Sequence, residues 1–144
     1  MKKLTIPALA VFSFVVAFGS TVAFAGDLES LAGKWSVKKT NDNGQSYTQT
    51  VSFKKDKFTF KIAGSDDKTY LYAEGDVKVE RLGPFKSIKF SNIKAGKSAD
   101  ELEPVDDDRS CIYKLEEGSF TLASNLDKDR EKGPALEVYT KADK

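Results

Sequence analysis

A strict alternation of apolar and polar residues recurs along this chain in short segments. The clearest segment is KFTFKIAG, in which Phe58, Phe60 and Ile62 alternate with lysine or threonine. Successive side chains of a β-strand point to opposite faces of its sheet. The pattern therefore predicts a strand with one apolar face and one solvated face.

Eight segments are predicted to be strands, and turn residues separate most of them. They read GKWSVKKT, YTQTVSFKK, KFTFKIAG, TYLYAEGDVKVERL, FKSIKFSNIK, RSCIYKLE, SFTLASN and ALEVYTK. The fourth segment is expected to be one long or bulged strand, with Gly75 as a kink or a turn. About eight consecutive short strands predict an all-β fold and are typical of a small antiparallel barrel or sandwich.

Two short helical turns are predicted beside the strands. Residues 27–32 form the first, with Asp27 as its N-cap and with Leu28 and Leu31 facing inward. The segment KSADELEP forms the second, with Ser98 as its cap and Pro104 at its end.

The strand pattern also predicts which side chains fill the barrel. The residues expected to point inward are Trp35, Val37, Tyr47, Val51, Phe53, Phe58, Phe60, Ile62, Ile88, Phe90, Tyr113, Phe120, Leu122, Leu136 and Val138. An eight-stranded barrel is either filled by such side chains or holds one small ligand. Gln49 and Ser124, if they face inward, favour a small polar pocket.

The N-terminus has the pattern of a secretory signal peptide. Two lysines follow Met1, an apolar stretch runs from Ile6 to Phe18, and Ala23 and Ala25 occupy the positions that a signal peptidase reads. We expect residues 1–25 to be removed and residues 26–144 to form one periplasmic or extracellular domain. The alternative is an uncleaved membrane anchor; after cleavage no stable membrane insertion is expected.

Composition argues against several classes of function. The 23 basic and 22 acidic residues nearly cancel, whereas nucleic-acid binding requires a basic surface. The chain contains no histidine, which is the usual general base and the commonest metal ligand. We therefore expect neither catalytic residues nor a cofactor. Cys111, the only cysteine, excludes an internal disulfide and is expected to be a buried apolar residue.

The segment ELEPVDDDR, residues 101–109, is the most acidic part of the chain. Calcium binding is one reading, because oxygen ligands suit that ion. The ligand spacing of a calcium loop is missing, however, and Pro104 stiffens the segment. A solvated loop is the favoured interpretation.

The segment LAGKWSV carries a resemblance to a known superfamily. Gly33 and Trp35 resemble the Gly-x-Trp signature of the calycins, which include lipocalins, fatty-acid-binding proteins and avidin-like proteins. The resemblance implies an all-β, about eight-stranded antiparallel up-and-down barrel. In that barrel Trp35 starts the first strand and packs across the closed end. With IYKLEEGSFTLASN, residues 112–125, the chain also resembles a family of small exported bacterial domains, abundant in planctomycetes and mostly without an assigned function.

Two departures from the superfamily pattern stand out. Lipocalins often place an arginine from the last strands over the signature tryptophan, as a cation–π partner. Here Lys141, Arg109 and Arg130 are the candidates for that position. The connection of residues 41–46 is also too short for the helical lid of fatty-acid-binding proteins.

The functional expectation is a non-enzymatic binding module for a small apolar or amphipathic ligand held inside the barrel. The expected ligand contacts are Tyr47, Gln49, Phe53, Phe58, Phe60, Phe90 and Tyr113. The alternative is a protein-interaction or structural module of the cell envelope with a filled barrel, in which residues 95–109 form the contact surface. A third reading is an enzyme with carboxylates at the barrel mouth.

Overall fold

The structure is a computed structural model that describes residues 22–127 and 130–142, with side chains from Asp27 onward. Its elements, in chain order, are α1 (Val22–Leu31), β1 (Gly33–Thr40), β2 (Ser46–Lys54), β3 (Lys57–Gly64), β4 (Thr69–Leu82), β5 (Phe85–Gly96), β6 (Leu102–Pro104), β7 (Arg109–Glu116), β8 (Ser119–Ser124) and β9 (Ala135–Lys141).

Eight of these strands form one closed antiparallel barrel. Around the barrel the order is β1-β2-β3-β4-β5-β7-β8-β9, and β9 returns to β1. The three-residue strand β6 lies outside this ring and pairs with the last residues of β5. The predicted eight-stranded up-and-down barrel with a short N-terminal helix is thus confirmed.

The two ends of the barrel differ. Tight hairpins join β2 to β3, β4 to β5 and β7 to β8 at one end, where α1 leads directly into β1; we call this the closed end. The other end carries four longer connections, residues 41–45, 65–68, 97–108 and 125–134, and we call it the open end.

The half of the barrel next to the closed end is filled by side chains. Leu31, Ile88 and Phe120 have no solvent exposure. Phe120 is the centre of this packing, with its ring centroid 5.8 Å from those of Trp35 and Phe53. Aromatic contacts of this kind add about 0.5–1.5 kcal/mol beyond the area they bury.

Trp35 connects α1 to the barrel. Its Nε1 donates a hydrogen bond of 2.8 Å to the carbonyl of Leu31, at the C-terminal end of the helix. The ammonium of Lys141 lies 4.6 Å from the centre of the tryptophan ring and donates to the carbonyl of Ala32 at 2.8 Å. Of the three basic residues considered as partners of Trp35, it is therefore Lys141 that fills the position.

A bulge at Gly75 interrupts the ladder between β4 and β5, as the sequence predicted. A Cβ atom at this position would lie 2.6 Å from the carbonyl oxygen of Ser91 and 3.0 Å from the ring of Phe58. Glycine is required here because two backbones approach each other closely.

The helical predictions need two corrections. The helix α1 begins at Val22, so Asp27 lies inside it and does not act as an N-cap. The Asp27 carboxylate instead pairs with Lys86 at 3.1 Å and accepts a hydrogen bond from Tyr113 at 3.3 Å, which ties the helix to the barrel.

The segment KSADELEP is not a helical turn. Residues 97–101 form bends and a turn, and residues 102–104 form β6. The end of β5 has no partner in β7, whose pairing with β5 stops at Phe90. The segment satisfies that backbone edge as a strand, with Gly96 opposite Leu102.

The predicted orientation of β9 is wrong. Leu136 and Val138 point outward and are 70% and 49% exposed, whereas Glu137 and Tyr139 point inward. Both faces of this strand contain apolar residues, so alternation alone does not distinguish them. Packing of Tyr139 on Phe120, with ring centroids 5.9 Å apart, fixes the observed orientation.

The predicted signal peptide falls largely outside the described residues, since description begins at Val22. Residues 22–25 form the start of α1. Within the described part of the chain, no helix combines the length and the hydrophobicity needed to cross a membrane.

Candidate functional site

A cavity of about 420 Å³ occupies the half of the barrel next to the open end. Ligand pockets in proteins typically measure about 300–1,000 Å³ and have mostly apolar walls with a few polar groups. The apolar lining residues are Val51, Phe58, Phe60, Leu71, Ala73, Phe90, Ile93, Ala95, Val105, Cys111 and Leu122. The polar lining residues are Gln49, Arg109, Ser124, Asn125, Glu137 and Tyr139.

Aromatic rings separate the cavity from the filled half of the barrel. Phe58 packs edge-on against Phe90, with ring centroids 4.7 Å apart, and both rings face the cavity. Phe53 stacks on Phe90, with ring centroids 6.4 Å apart, and does not line the cavity. The barrel is thus filled in one half and hollow in the other.

One carboxylate, that of Glu137, lies in the cavity wall with only 18% of its side chain exposed. Its Oε1 accepts from the ammonium of Lys39 at 2.5 Å, and its Oε2 accepts from the hydroxyl of Tyr139 at 2.7 Å. Gln49 Oε1 lies 3.3 Å from the same hydroxyl. These contacts satisfy a charge that would otherwise be costly to bury.

The pKa values in this cluster follow from its geometry. The hydrogen bond to Glu137 raises the pKa of Lys39 above its ordinary value. Burial raises the pKa of Tyr139, and the neighbouring Glu137 raises it further. Lys39 is therefore an ammonium, and Tyr139 a neutral hydroxyl donor, at neutral pH.

Arg109 supplies the positive charge among the described lining residues, and aspartate neutralises it. Its guanidinium contacts Asp107 at 3.2 Å. Arg130 binds both oxygens of the same carboxylate, at 2.7 and 2.8 Å, and also contacts Asp127 at 3.4 Å. The hydrogen bonds from Arg130 hold the pKa of Asp107 below its usual range.

The described parts of the four open-end connections, which we call the rim, carry a strong excess of negative charge. Eleven carboxylates stand against four basic groups. The acidic residues are Asp42, Asp66, Asp67, Asp100, Glu101, Glu103, Asp106, Asp107, Asp108, Asp127 and Glu131, and the basic ones are Lys68, Lys97, Arg130 and Lys132. Within the described residues, no three groups of the types His, Cys, Asp or Glu are arranged to hold a metal ion.

Cys111 is 4% exposed, which confirms that it is buried. Its side chain also lines the cavity, from β7. Burial raises the pKa of its thiol to about 11. The thiol is therefore protonated at neutral pH and acts as part of the apolar wall.

The structure brings together four of the seven residues predicted to contact a ligand. Gln49, Phe58, Phe60 and Phe90 line the cavity. Phe53 and Tyr113 do not, because they point inward at the level of the closed end and belong to the filled core.

Tyr47, the seventh predicted contact, does not line the cavity either. It lies on β2 near the open end of the barrel, where it is paired with Lys39 of β1. The sequence prediction identified the correct face of each strand for these residues, but not which of them line the cavity.

Glu137 and Tyr139 are cavity residues that the sequence prediction missed. Both were missed because the sequence prediction gave β9 the opposite orientation. The sequence did contain a signal for the correct orientation. Tyr139 and Lys141 share one face of β9, so an inward Tyr139 also places Lys141, one of the three candidate partners, on the ring of Trp35.

Comparison with protein-family models, curated proteins and solved structures found no match for this chain.

Proposed function

We propose that this protein binds a small amphipathic molecule in the open half of its barrel, without catalysing a reaction. The observation that carries the proposal is the cavity of about 420 Å³, which combines an aromatic and aliphatic wall with a few polar groups. A ligand with an apolar body and one polar end matches this distribution.

The polar groups support a binding role because several of them retain hydrogen-bonding capacity. Gln49 uses its carbonyl oxygen toward Tyr139, and its amide nitrogen faces no protein acceptor among the described contacts. Ser124 and Asn125 line the same cavity. A ligand end can therefore form hydrogen bonds without displacing the bonds that hold the fold.

The other two readings of the sequence have less support. An interaction module with a filled barrel would have side chains throughout its interior, whereas here only the half next to the closed end is filled. Catalysis by a carboxylate pair needs two acids on one site. Among the described residues that line the cavity, Glu137 is the single carboxylate.

A dye-binding experiment tests the proposal. N-phenyl-1-naphthylamine, a neutral apolar dye, should fluoresce strongly when it enters the cavity of the purified domain. Leu122→Trp would fill the cavity and should abolish this signal, because Leu122 is part of its wall. Val138→Trp, on the outer face of the neighbouring strand, is the matched control and should leave the signal intact.

Native mass spectrometry of protein purified from its own host provides a second test. A mass that is retained in the native spectrum and lost on denaturation would identify the ligand. Equal dye binding by the Leu122→Trp and Val138→Trp variants would contradict a site inside the barrel.

A further inference from the structure

We propose that the ligand is cationic: an apolar molecule that carries an amine, whose ammonium replaces that of Lys39 on Glu137. This inference rests on the proposed binding function and specifies the chemical class of the ligand. Three independent features carry it: the buried carboxylate, the charge of the rim and the neutralisation of Arg109.

The first feature is that Glu137, a carboxylate of the cavity wall, already holds an ammonium of the chain. Glu137 Oε1 accepts from Lys39 at 2.5 Å, while Tyr139 holds Oε2 at 2.7 Å. The carboxylate is 18% exposed, so it needs a cationic partner at all times. A ligand ammonium offers the same charge and the same hydrogen-bond donors as the lysine that it displaces.

Lys39 is suited to leave this position. Its side chain is 35% exposed and can move into solvent, where its charge is hydrated. The ladder between β1 and β9 consists of two residue pairs, Trp35 with Lys141 and Ser36 with Thr140, both near the closed end. No backbone pair between β1 and β9 lies at the level of Glu137. Lys39 can therefore move away without breaking one.

The second feature is the charge of the rim. Its described residues carry eleven carboxylates and four basic groups, so a ligand reaches the cavity through a region of negative potential. Such a potential concentrates cations and repels anions. An anionic amphipathic molecule, such as a fatty acid, would face repulsion before it reached the wall.

The third feature is that Arg109, the basic residue of the described cavity wall, is not an open anchor for an anion. Asp107 contacts its guanidinium at 3.2 Å, and Asp107 in turn is bound by Arg130. A ligand carboxylate at Arg109 would lie beside Asp107. The cavity thus offers a favourable position to a positive charge and an unfavourable one to a negative charge.

The test compares three ligands with the same alkyl chain: dodecylamine, dodecanol and dodecanoate. Each competes with N-phenyl-1-naphthylamine for the full-length or signal-free protein, at neutral pH, low salt and concentrations below micelle formation. Dodecylamine should bind the most tightly and dodecanoate the most weakly. Added salt should reduce this difference, because rim charges are screened.

Two variants and one control locate the effect. Glu137→Gln should weaken dodecylamine binding on the order of tenfold or more, as expected for the loss of a charge-assisted hydrogen bond, and should leave dodecanol binding unchanged. Lys39→Met should strengthen dodecylamine binding severalfold, because it removes the competing ammonium. Lys38→Met, which alters the outer face of the same strand, should change neither.

The outcomes separate this inference from the proposed function. If dodecanoate binds more tightly than dodecylamine, or if Glu137→Gln leaves the amine affinity unchanged while the dye still binds, the cationic assignment is wrong and the binding function stands. If no probe binds, the binding function fails. Should Glu137→Gln not fold, the double variant Lys39→Met with Glu137→Gln, which has no unpaired charge, provides the same comparison.

Discussion

The ammonium of Lys141 lies 4.6 Å above the ring of Trp35, and it also donates to the carbonyl of Ala32. One side chain of the last strand thus covers the first strand and caps the helix that precedes it. Trp35 also binds a carbonyl at this end of the helix, since its Nε1 donates to the carbonyl of Leu31. Two of the carbonyls that an α-helix leaves unpaired at its C-terminal end are satisfied by these two residues.

Replacement of Trp35 by alanine should destabilise the protein by about 3–5 kcal/mol, the range for a buried aromatic residue. The variant loses contact with Phe120 and leaves the carbonyl of Leu31 without its donor. Urea unfolding monitored by circular dichroism measures the change. Val138→Ala, on the exposed outer face, is the control and should stay within about 0.5 kcal/mol of the parent. Equal unfolding midpoints for the two variants would contradict the role assigned to Trp35.

Replacement of Lys141 by methionine should cost about 0.5–1 kcal/mol, the range for an exposed cation–π contact. Arginine should preserve most of this contribution, because its guanidinium also stacks on an indole ring. The same urea experiment compares the two variants. A methionine variant as stable as the arginine variant would show that the charge above Trp35 contributes nothing measurable.

Replacement of Gly75 by alanine should destabilise the barrel by about 1–3 kcal/mol, the cost of forcing an atom into a packed site. The new Cβ would lie 2.6 Å from the backbone oxygen of Ser91, so β4 and β5 would have to separate. Gly133→Ala is the control, since a Cβ there meets no atom within 4 Å. A stable Gly75→Ala variant with unchanged dye binding would mean that the bulge tolerates a side chain.

The ion pair of Asp107 with Arg130 should make the stability depend on pH. The pKa of Asp107 is lowered in the folded state, so the ionised form stabilises the fold above the ordinary aspartate pKa of about 3.9. This contribution is lost as the pH falls through the lowered value. Asp107→Asn should therefore lower the melting temperature at neutral pH, and the difference from the parent should vanish in strong acid.

The control for this experiment is Asp106→Asn, which changes an exposed neighbour in the same connection. It should melt like the parent at every pH. A difference between the parent and Asp107→Asn that stayed constant down to pH values of about 2 would assign the effect to packing rather than to charge.

Cys111 should react slowly with iodoacetamide in the folded protein. With a thiol pKa of about 11, the reactive thiolate is rare at neutral pH and should increase about tenfold per pH unit until that value is approached. Ligand or dye in the cavity should slow the reaction further, because the thiol lines the wall. Mass spectrometry measures the labelled fraction, and protein unfolded in guanidinium is the fast-reacting reference. Rapid labelling of the native protein at neutral pH would contradict the burial of Cys111.

The sequence predicted the strands because alternation is informative wherever one face of a strand is clearly polar. In β3, Phe58 and Phe60 alternate with lysine and threonine, and both line the cavity as expected. In β9 both faces contain apolar residues, and the strand was assigned the wrong orientation. The orientation there depends on contacts with Phe120 and Trp35, which lie far away in sequence.

The cavity was harder to predict than the sheet because it depends on how the inward side chains pack together. Phe53 and Phe58 are direct partners across the β2–β3 hairpin, yet only Phe58 lines the cavity. Such a difference follows from packing in three dimensions, and strand periodicity carries no information about it.

The pairing of β1 with β9 has a consequence for folding during synthesis. Ala32 and Lys141 are separated by 109 residues, so the closed end joins segments that are far apart in the chain. Contacts of such high sequence separation slow folding, because a long loop must close before they form. Until β9 emerges from the ribosome, β1 can pair only with β2, and the ring of Trp35 is not covered by Lys141. The barrel can therefore close only after β9 has left the ribosome.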